Sequence, residues 1–382
     1  MRDKKTHTIL NKILPLWLMA IVTIAVCVGC GKSDNNGQSQ DPLPTVLTIY
    51  VYSPEKPMVT RADVDDVNAM AAENNIHSLR IWVFAHDSGE LVGYLQPSAT
   101  VLNRESAYAF LMDVSDAFAT TLPNVDVYVM ANAPDSGLGQ ESTQEEIEAA
   151  ILNNAANADF GIGRVTTDVP ATGLPMTGVL RNQPVTGNNP VLRIGTLTEM
   201  ATVRLTRVVS KICFYFTRQS SVEESITIGS ITIDGNMIPR EEYLFLADDG
   251  KSYHVGSEYE EQAAELTSAV GEPFTCETPD IYIYNAGTDG QDYMNLLEIA
   301  ATGGSLTKAG PYYMRESDRQ LSGTIHYQVD GEARQARFQL ADALDFSRNH
   351  TWIVYGYFNG GSGALTLSNL FIKDWREGGR EH

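Results

Sequence analysis

The chain has 382 residues, too many for one average domain and enough for two plus terminal extensions. Charged residues make up 20% and apolar ones 43%, which excludes wholesale disorder and a polytopic membrane protein. With 48 acidic against 27 basic side chains the net charge is −21, a surface that repels phosphate backbones and excludes nucleic acid as a partner.

Taken in order, the chain opens on a targeting segment. Arg2, Lys4, Lys5 and Lys12 precede an apolar run from Ile13 to Val28, interrupted by Pro15 and Thr23. The run is short of the roughly 20 residues of a membrane span and suits a cleaved export signal. It ends in Val28-Gly29-Cys30. A small residue before Cys resembles a bacterial lipobox, in which the Cys is diacylated and becomes the new N-terminus. Cys27 departs from that pattern, standing where Leu is usual. Residues 1–29 are therefore read as the signal and Cys30 as the lipidation site. Cys27 and Cys30 also form C-x-x-C, but inside the signal and with no His after Cys30, so a redox or haem role is set aside. Of the remaining Cys213 and Cys276, Cys213 lies in the strand-like Lys211–Phe216 and reads as a buried thiol. An exported protein would nonetheless permit a disulfide.

Gly31 to Pro44 is a polar tether. Val46-Leu47-Thr48-Ile49-Tyr50-Val51-Tyr52 is an uncharged β-prone run, hazardous if left exposed. Something must cover it or remove it. Leu79–Phe84 and Leu91–Leu95 flank Asp87-Ser88-Gly89 as a hairpin, and Val125–Asn132 is a further strand. Ser142-Thr143-Gln144-Glu145 reads as a capping box that opens a helix to about Asn153. Residues 159–198 read as loop with short strands, and Ala201–Thr217 as one long strand with a basic side formed by Arg204, Arg207 and Lys211. In the second half, Ser225–Ile233 turns at Asp234-Gly235 and Asp280–Tyr284 is short and apolar. Gly323–Val329 and Arg334–Leu340 flank the hairpin turn Asp330-Gly331, and Thr351–Phe358 is a strand. Short strands at roughly 8–12-residue spacing with few helices predict an all-β chain of two tandem β-sandwiches with one or two short helices. The expected boundaries are 30–61 for the tether and first strand, 62–221 for the first sandwich and 222–382 for the second.

Catalytic motifs are missing from the sequence: no H-E-x-x-H, Walker A, G-x-G-x-x-G or G-x-S-x-G occurs. Asp63-Val64-Asp65-Asp66 resembles the opening of a calcium loop but has Asn68 and Asn74 where Gly and Glu are needed. His77 and His86 read as surface residues, and Glu258, Glu260 and Glu261 as a solvated face. Asn349-His350-Thr351 is a glycosylation sequon that a bacterial lipoprotein would leave idle. No enzyme, cofactor or metal is expected.

Several segments in order carry a resemblance. After the lipobox come Val59-Thr60-Arg61-Ala62-Asp63, Ile81-Trp82-Val83-Phe84, Tyr128-Val129-Met130-Ala131-Asn132-Ala133 and Leu174-Pro175-Met176-Thr177-Gly178. Leu205–Ile212, Ser347-Arg348-Asn349-His350 and Ile372-Lys373-Asp374-Trp375 follow. Together they resemble the fimbrillin subunits of Bacteroidota type V pili. The resemblance implies two transthyretin-like Greek-key sandwiches and a lipid-anchored precursor at the outer membrane. It also implies an arginine-specific protease that removes the first strand, and polymerisation with other subunits by strand exchange into a surface fimbrium for adhesion. The adhesion ligand would lie on a host or bacterial surface. Arg61 and Ala62 would flank the processed bond, and prolines keep that segment extended. A second reading is the anchor or tip subunit of such a pilus. A third is a surface glycan-binding lipoprotein, which would want exposed Trp; Trp82, Trp352 and Trp375 instead sit in strand-like runs. The donor strand is expected after the hinge Gly360-Gly361-Ser362-Gly363, with Leu365, Leu367, Leu370, Ile372 and Trp375 as anchors and a register reset at Ser368-Asn369. The opposing expectation is that these residues complete their own domain.

Overall fold

A computed structural model describes residues 44–52, 72–98, 107–114, 124–134, 136–152, 160, 165–188, 190–218, 223–247, 253–267, 270–274, 307–340, 346–359 and 364–372. The body from Leu43 onward is one compact unit. Its strands in chain order are β1 (Val46–Tyr52), β2 (Leu79–Ala85), β3 (Leu91–Leu95), β4 (Ala107–Asp113), β5 (Val125–Ala131), β6 (Met176–Gln183), β7 (Val185–Asn188), β8 (Val191–Ile194), β9 (Thr202–Arg204) and β10 (Thr206–Arg207). They continue with β11 (Ser210–Arg218), β12 (Ile226–Ile233), β13 (Ala264–Thr267), β14 (Val270–Phe274), β15 (Thr307–Met314), β16 (Ser322–Val329), β17 (Glu332–Gln339), β18 (Thr351–Asn359) and β19 (Ala364–Ile372). Among the described residues a short helix, α1 (Gln144–Glu148), lies between β5 and β6, and residues 72–74 form a helical turn.

Among the described residues the strands form four sheets, and the fold is all-β as expected. One sheet runs β4-β1-β8-β7, with β9 also on β1; it faces a second of order β10-β6-β5-β2-β3. Leu47, Ile49 and Val51 from the first sheet meet Ile81, Val83, Val127 and Val129 from the second in one apolar core. The other pair, β15-β11-β18-β19 and β13-β12-β16-β17 with β14 on β12, encloses a second core around Phe214, Ile228, Ile325 and Trp352. A third cluster joins the sandwiches: Trp82, Phe84 and Tyr128 from the first pack with Leu244, Phe245 and Tyr313 from the second. There Leu244 N donates to Ala150 O at 2.8 Å and Thr177 Oγ1 donates to Leu244 O at 2.6 Å.

The expected hairpins are present. β2 pairs antiparallel with β3, and β16 with β17. At the latter turn Asp330 (φ 50°) and Gly331 (φ 83°) both take left-handed backbone, as a two-residue type I′ turn requires. The segment read as a single strand over Ala201–Thr217 differs. It is three strands, of which β9 pairs with β1, β10 with β6, and β11 with β15 and β18. Sheet membership therefore changes between Arg207 and Ser210, upstream of the expected boundary after residue 221. Uniform β propensity gives no sign of this, because Leu205, Val208 and Val209 stay buried while the chain crosses between sandwiches.

The helix is also displaced. Its N-cap is Thr143 and its box partner Glu146, one residue beyond the expected Ser142 and Glu145. The Ser142 hydroxyl is engaged by Gly139 N at 2.9 Å, which leaves the cap to Thr143. The helix ends at Glu148 rather than near Asn153, because Ile151 turns aside to bridge Tyr243.

Candidate functional site

β1 is the best-defined candidate. Its sequence is β-prone and carries no charge, and its burial alternates along the strand, as for a strand with one face in a core. Leu47, Ile49 and Val51 are fully buried, while Val46, Thr48, Tyr50 and Tyr52 lie half-buried on the other face. Both edges of β1 are paired. On one side β4 runs antiparallel in an unbroken register from Val46↔Asp113 to Tyr52↔Ala107. On the other, β8 pairs in parallel with Val46–Thr48 and β9 with Tyr50–Tyr52. The ends are tied down as well: Val46 N donates to Pro190 O at 2.8 Å and Leu205 N to Tyr52 O at 3.0 Å. At Tyr52 the Arg204 guanidinium stands 5.7 Å from the ring centroid, a contact of cation–π type.

This geometry has a definite consequence. β1 is an interior strand, so withdrawing it would separate β4 from β8 and β9 by a slot one strand wide, about 10 Å between the flanking strands. The slot floor would be Met112, Leu192 and Val203 with the facing sheet. Three buried side chains at about 1.5–3 kcal/mol each would lose their partners, roughly 5–9 kcal/mol of apolar burial. An incoming strand that ran antiparallel to β4 and offered apolar groups at alternate positions would restore both the hydrogen bonds and the burial.

β19 sits differently. It pairs antiparallel with β18 over all nine residues, from Asn359↔Ala364 to Thr351↔Ile372, and occupies an edge of its sheet. Leu365 packs partly against the second core. The register passes through Val354↔Asn369 and Tyr355↔Ser368 without a shift, so the reset expected at Ser368-Asn369 is not found. Cys30, Arg61, Ala62, Trp375, the hinge at 360–363, the Asp63 turn, Asp280–Tyr284 and Cys276 all lie outside the described residues.

The remaining candidates resolve into ordinary structural roles. Cys213 is buried. His86 Nδ1 lies 2.8 Å from Asp126 Oδ1. Glu258 and Glu260 pair with Arg240 at 3.4 and 3.9 Å. Trp82 and Trp352 are 0% and 1% exposed, so neither offers a platform for a sugar. Asn349 of the sequon is 2% exposed and its Oδ1 accepts from Arg207 Nη1 at 2.9 Å, which makes it an internal structural residue. Among the described residues no group of three or more His, Cys, Asp or Glu is placed to hold a metal. In that same set no helix is long and apolar enough to cross a membrane.

The walls of the β1 slot are only partly legible in the sequence. β4 is Ala107-Tyr108-Ala109-Phe110-Leu111-Met112-Asp113. Its period-2 placing of Tyr108, Phe110 and Met112 is a strand signal that could have found it. β8, four residues long, falls in the stretch read only as loop with short strands, and β9, three residues long, is hidden inside the single strand read over Ala201–Thr217.

Comparison with known proteins bears on the same region. The family model described as "Major fimbrial subunit protein (FimA)" matches residues 45–207. The match begins one residue before β1 and stops at Arg207, where the chain leaves the first sandwich. No curated protein matches the chain. Among solved structures, the tip fimbrial protein Mfa3 from Porphyromonas gingivalis with C-terminal truncation is similar at 14% identity and a TM-score of 0.49, over 86% of this chain and 99% of that one. A candidate cell adhesion protein from Parabacteroides distasonis gives 13% identity and a TM-score of 0.49, over 86% and 97%. A fimbrial assembly protein from the same organism gives 13% and 0.41, over 85% and 99%. Residues 45–207, the first sandwich with β1 included, are thus similar to the major fimbrial subunit family, the fimbrillins that the sequence resembles.

Proposed function

We propose that this chain is a non-enzymatic structural subunit of a cell-surface fimbrium, exported as a lipoprotein through Cys30 and polymerised by strand exchange. An arginine-specific protease cuts between Arg61 and Ala62, releasing the lipid together with β1, and a neighbouring subunit fills the slot. Residues 1–29 are the signal and 30–61 the removable leader. The assembled fimbrium stands on the outer membrane and serves adhesion to a host or bacterial surface. The observation that carries this reading is the seating of β1: an uncharged strand with three buried side chains, paired on both edges, just upstream of Arg61.

The donor is β19 or its continuation to Trp375. As an edge strand it can leave without parting its sheet. Leu365, Leu367, Leu370, Ile372 and Trp375 are its candidate anchors. One observation favours the anchor or tip reading of the same pilus: β1 and β19 are both seated in their own sandwiches, as in a subunit that keeps its first strand.

Arg61→Ala and Cys30→Ala test the proposal in cells that make the fimbrium. Arg61→Ala is expected to leave lipidated, unpolymerised protein, and Cys30→Ala to lose membrane attachment of the precursor. Fimbria of normal length from Arg61→Ala would overturn strand removal at that bond.

A further inference from the structure

Residues 72–74 form a helical turn between β1 and β2, and its Glu73 is 2% exposed. Glu73 Oε1 accepts from Lys211 Nζ at 2.9 Å and from Tyr313 OH at 2.5 Å. The Glu73 carbonyl accepts from Arg207 Nε at 3.1 Å, and Asn74 Oδ1 accepts from Arg207 Nη2. Arg207 Nη1 reaches on to Asn349 Oδ1 at 2.9 Å. Arg207 belongs to β10 of the first sandwich. Lys211 on β11, Tyr313 on β15 and Asn349 belong to the second. The buried Glu73 carboxylate is thus held by a cation and a phenol of the second body, while Arg207 of the first holds the carbonyl of Glu73 and the side chain of Asn74. Buried charges of this kind hold only while every partner is present. The chain just beyond is fixed as well: Asn132 Nδ2 donates to Asn75 O at 2.8 Å, and Ile76 is 1% exposed.

We propose that the Glu73–Asn74 turn is a clamp, fastening the chain downstream of the removable strand across the junction of the two sandwiches. Its position gives the role. Glu73 follows both β1 and Arg61 in the chain, so it stays in the part of the chain that remains once the leader is gone. The clamp isolates the first sandwich from the loss of its strand and keeps the slot walls in register for the incoming one. Its service during strand exchange rests on the reading above, whereas the clamp itself is a property of the uncut chain.

Hydrogen exchange of the full, uncut chain read by mass spectrometry tests it without any step of assembly. In Glu73→Ala, amide exchange over residues 72–77 is expected to rise more than about tenfold, while β12 and β16 stay within about twofold of the parent protein. Lys211→Met is expected to raise exchange over the same residues. Two results overturn the clamp: unchanged exchange over 72–77 in Glu73→Ala, or a rise of equal size in β12 and β16, which would make Glu73 a general stability residue. If Glu73→Ala does not fold, Glu73→Gln is read in the same way. Failure of Glu73→Gln to fold also contradicts the clamp, which acts locally. A chain that shows the clamp but never polymerises would count against strand exchange alone.

Discussion

β1 and β19 are both β-prone apolar strands, yet the fold holds them in opposite ways. β1 has a neighbour on each edge, β4 on one side and β8 with β9 on the other. β19 has one described neighbour, β18. An interior strand that leaves opens a slot with two hydrogen-bonding walls and an apolar floor. An edge strand that leaves merely shortens its sheet and exposes the next edge. The first geometry suits an acceptor and the second a donor, and the distinction follows from sheet order rather than from composition. Composition alone makes the two runs nearly interchangeable.

The largest effect should fall on the inward face of β1. Ile49→Asp puts an unpaired charge where the side chain is 1% exposed and should cost at least about 4 kcal/mol in the unprocessed chain. Thr48→Asp on the opposite face of the same strand should cost under about 1 kcal/mol. Urea denaturation of both variants checks this, and equal costs would mean that β1 is not seated with that alternation.

The comparison also requires the body between the two strands to stay fixed while either moves. Part of that rigidity lies in a buried charge cluster at the junction. Glu316 is paired by Arg348, with Nε at 2.9 Å and Nη2 at 2.6 Å, and also accepts from His254 N at 3.0 Å. Glu242 lies beside them, 3.5 Å from Arg348 Nη2. Burial first, then the neighbouring Glu316, hold the Glu242 carboxyl well above its ordinary range, against the pull of Arg348 and Arg315. Glu316→Gln should therefore cost about 3 kcal/mol by stranding Arg348, and Glu242→Gln under about 1 kcal/mol. A carboxyl raised in the folded state contributes its full stability below its unfolded value, and that contribution fades as pH climbs towards the folded one. Stability should thus decline as pH rises above 4.5, and Glu242→Gln should flatten the decline. Denaturation midpoints across that range read both effects.

The smallest effect belongs to β19. Leu365 is only partly buried, so Leu365→Ala should cost about 1 kcal/mol and leave a folded monomer. The same change should reduce polymerisation if this face enters the slot. A loss of several kcal/mol in the monomer would instead assign these side chains to their own core and weaken the donor role.

Much of the fold is legible in the residues, for local reasons. The β16–β17 hairpin shows through Asp330-Gly331, whose backbone freedom the turn demands, and β1 shows through its uncharged β-prone run. What escapes is set by partners distant in sequence. The run from Ala201 to Thr217 has even β propensity, and only its pairing with β1, then β6, then β15 and β18 divides it. The cap moves from Ser142 to Thr143 because Gly139 claims the serine hydroxyl. Glu73 reads as one acidic residue among many until Lys211 and Tyr313 are brought to it from far along the chain. The β1 slot was half legible: the strand that fills it was visible, and the short strands that line it were not.

The most direct test is the N-terminal residue and intact mass of the subunits in fimbria sheared from cells. The account predicts chains beginning at Ala62 that lack Val46–Tyr52 and carry no acyl group. Polymerised subunits that still begin at acylated Cys30 and retain Val46–Tyr52 would contradict it.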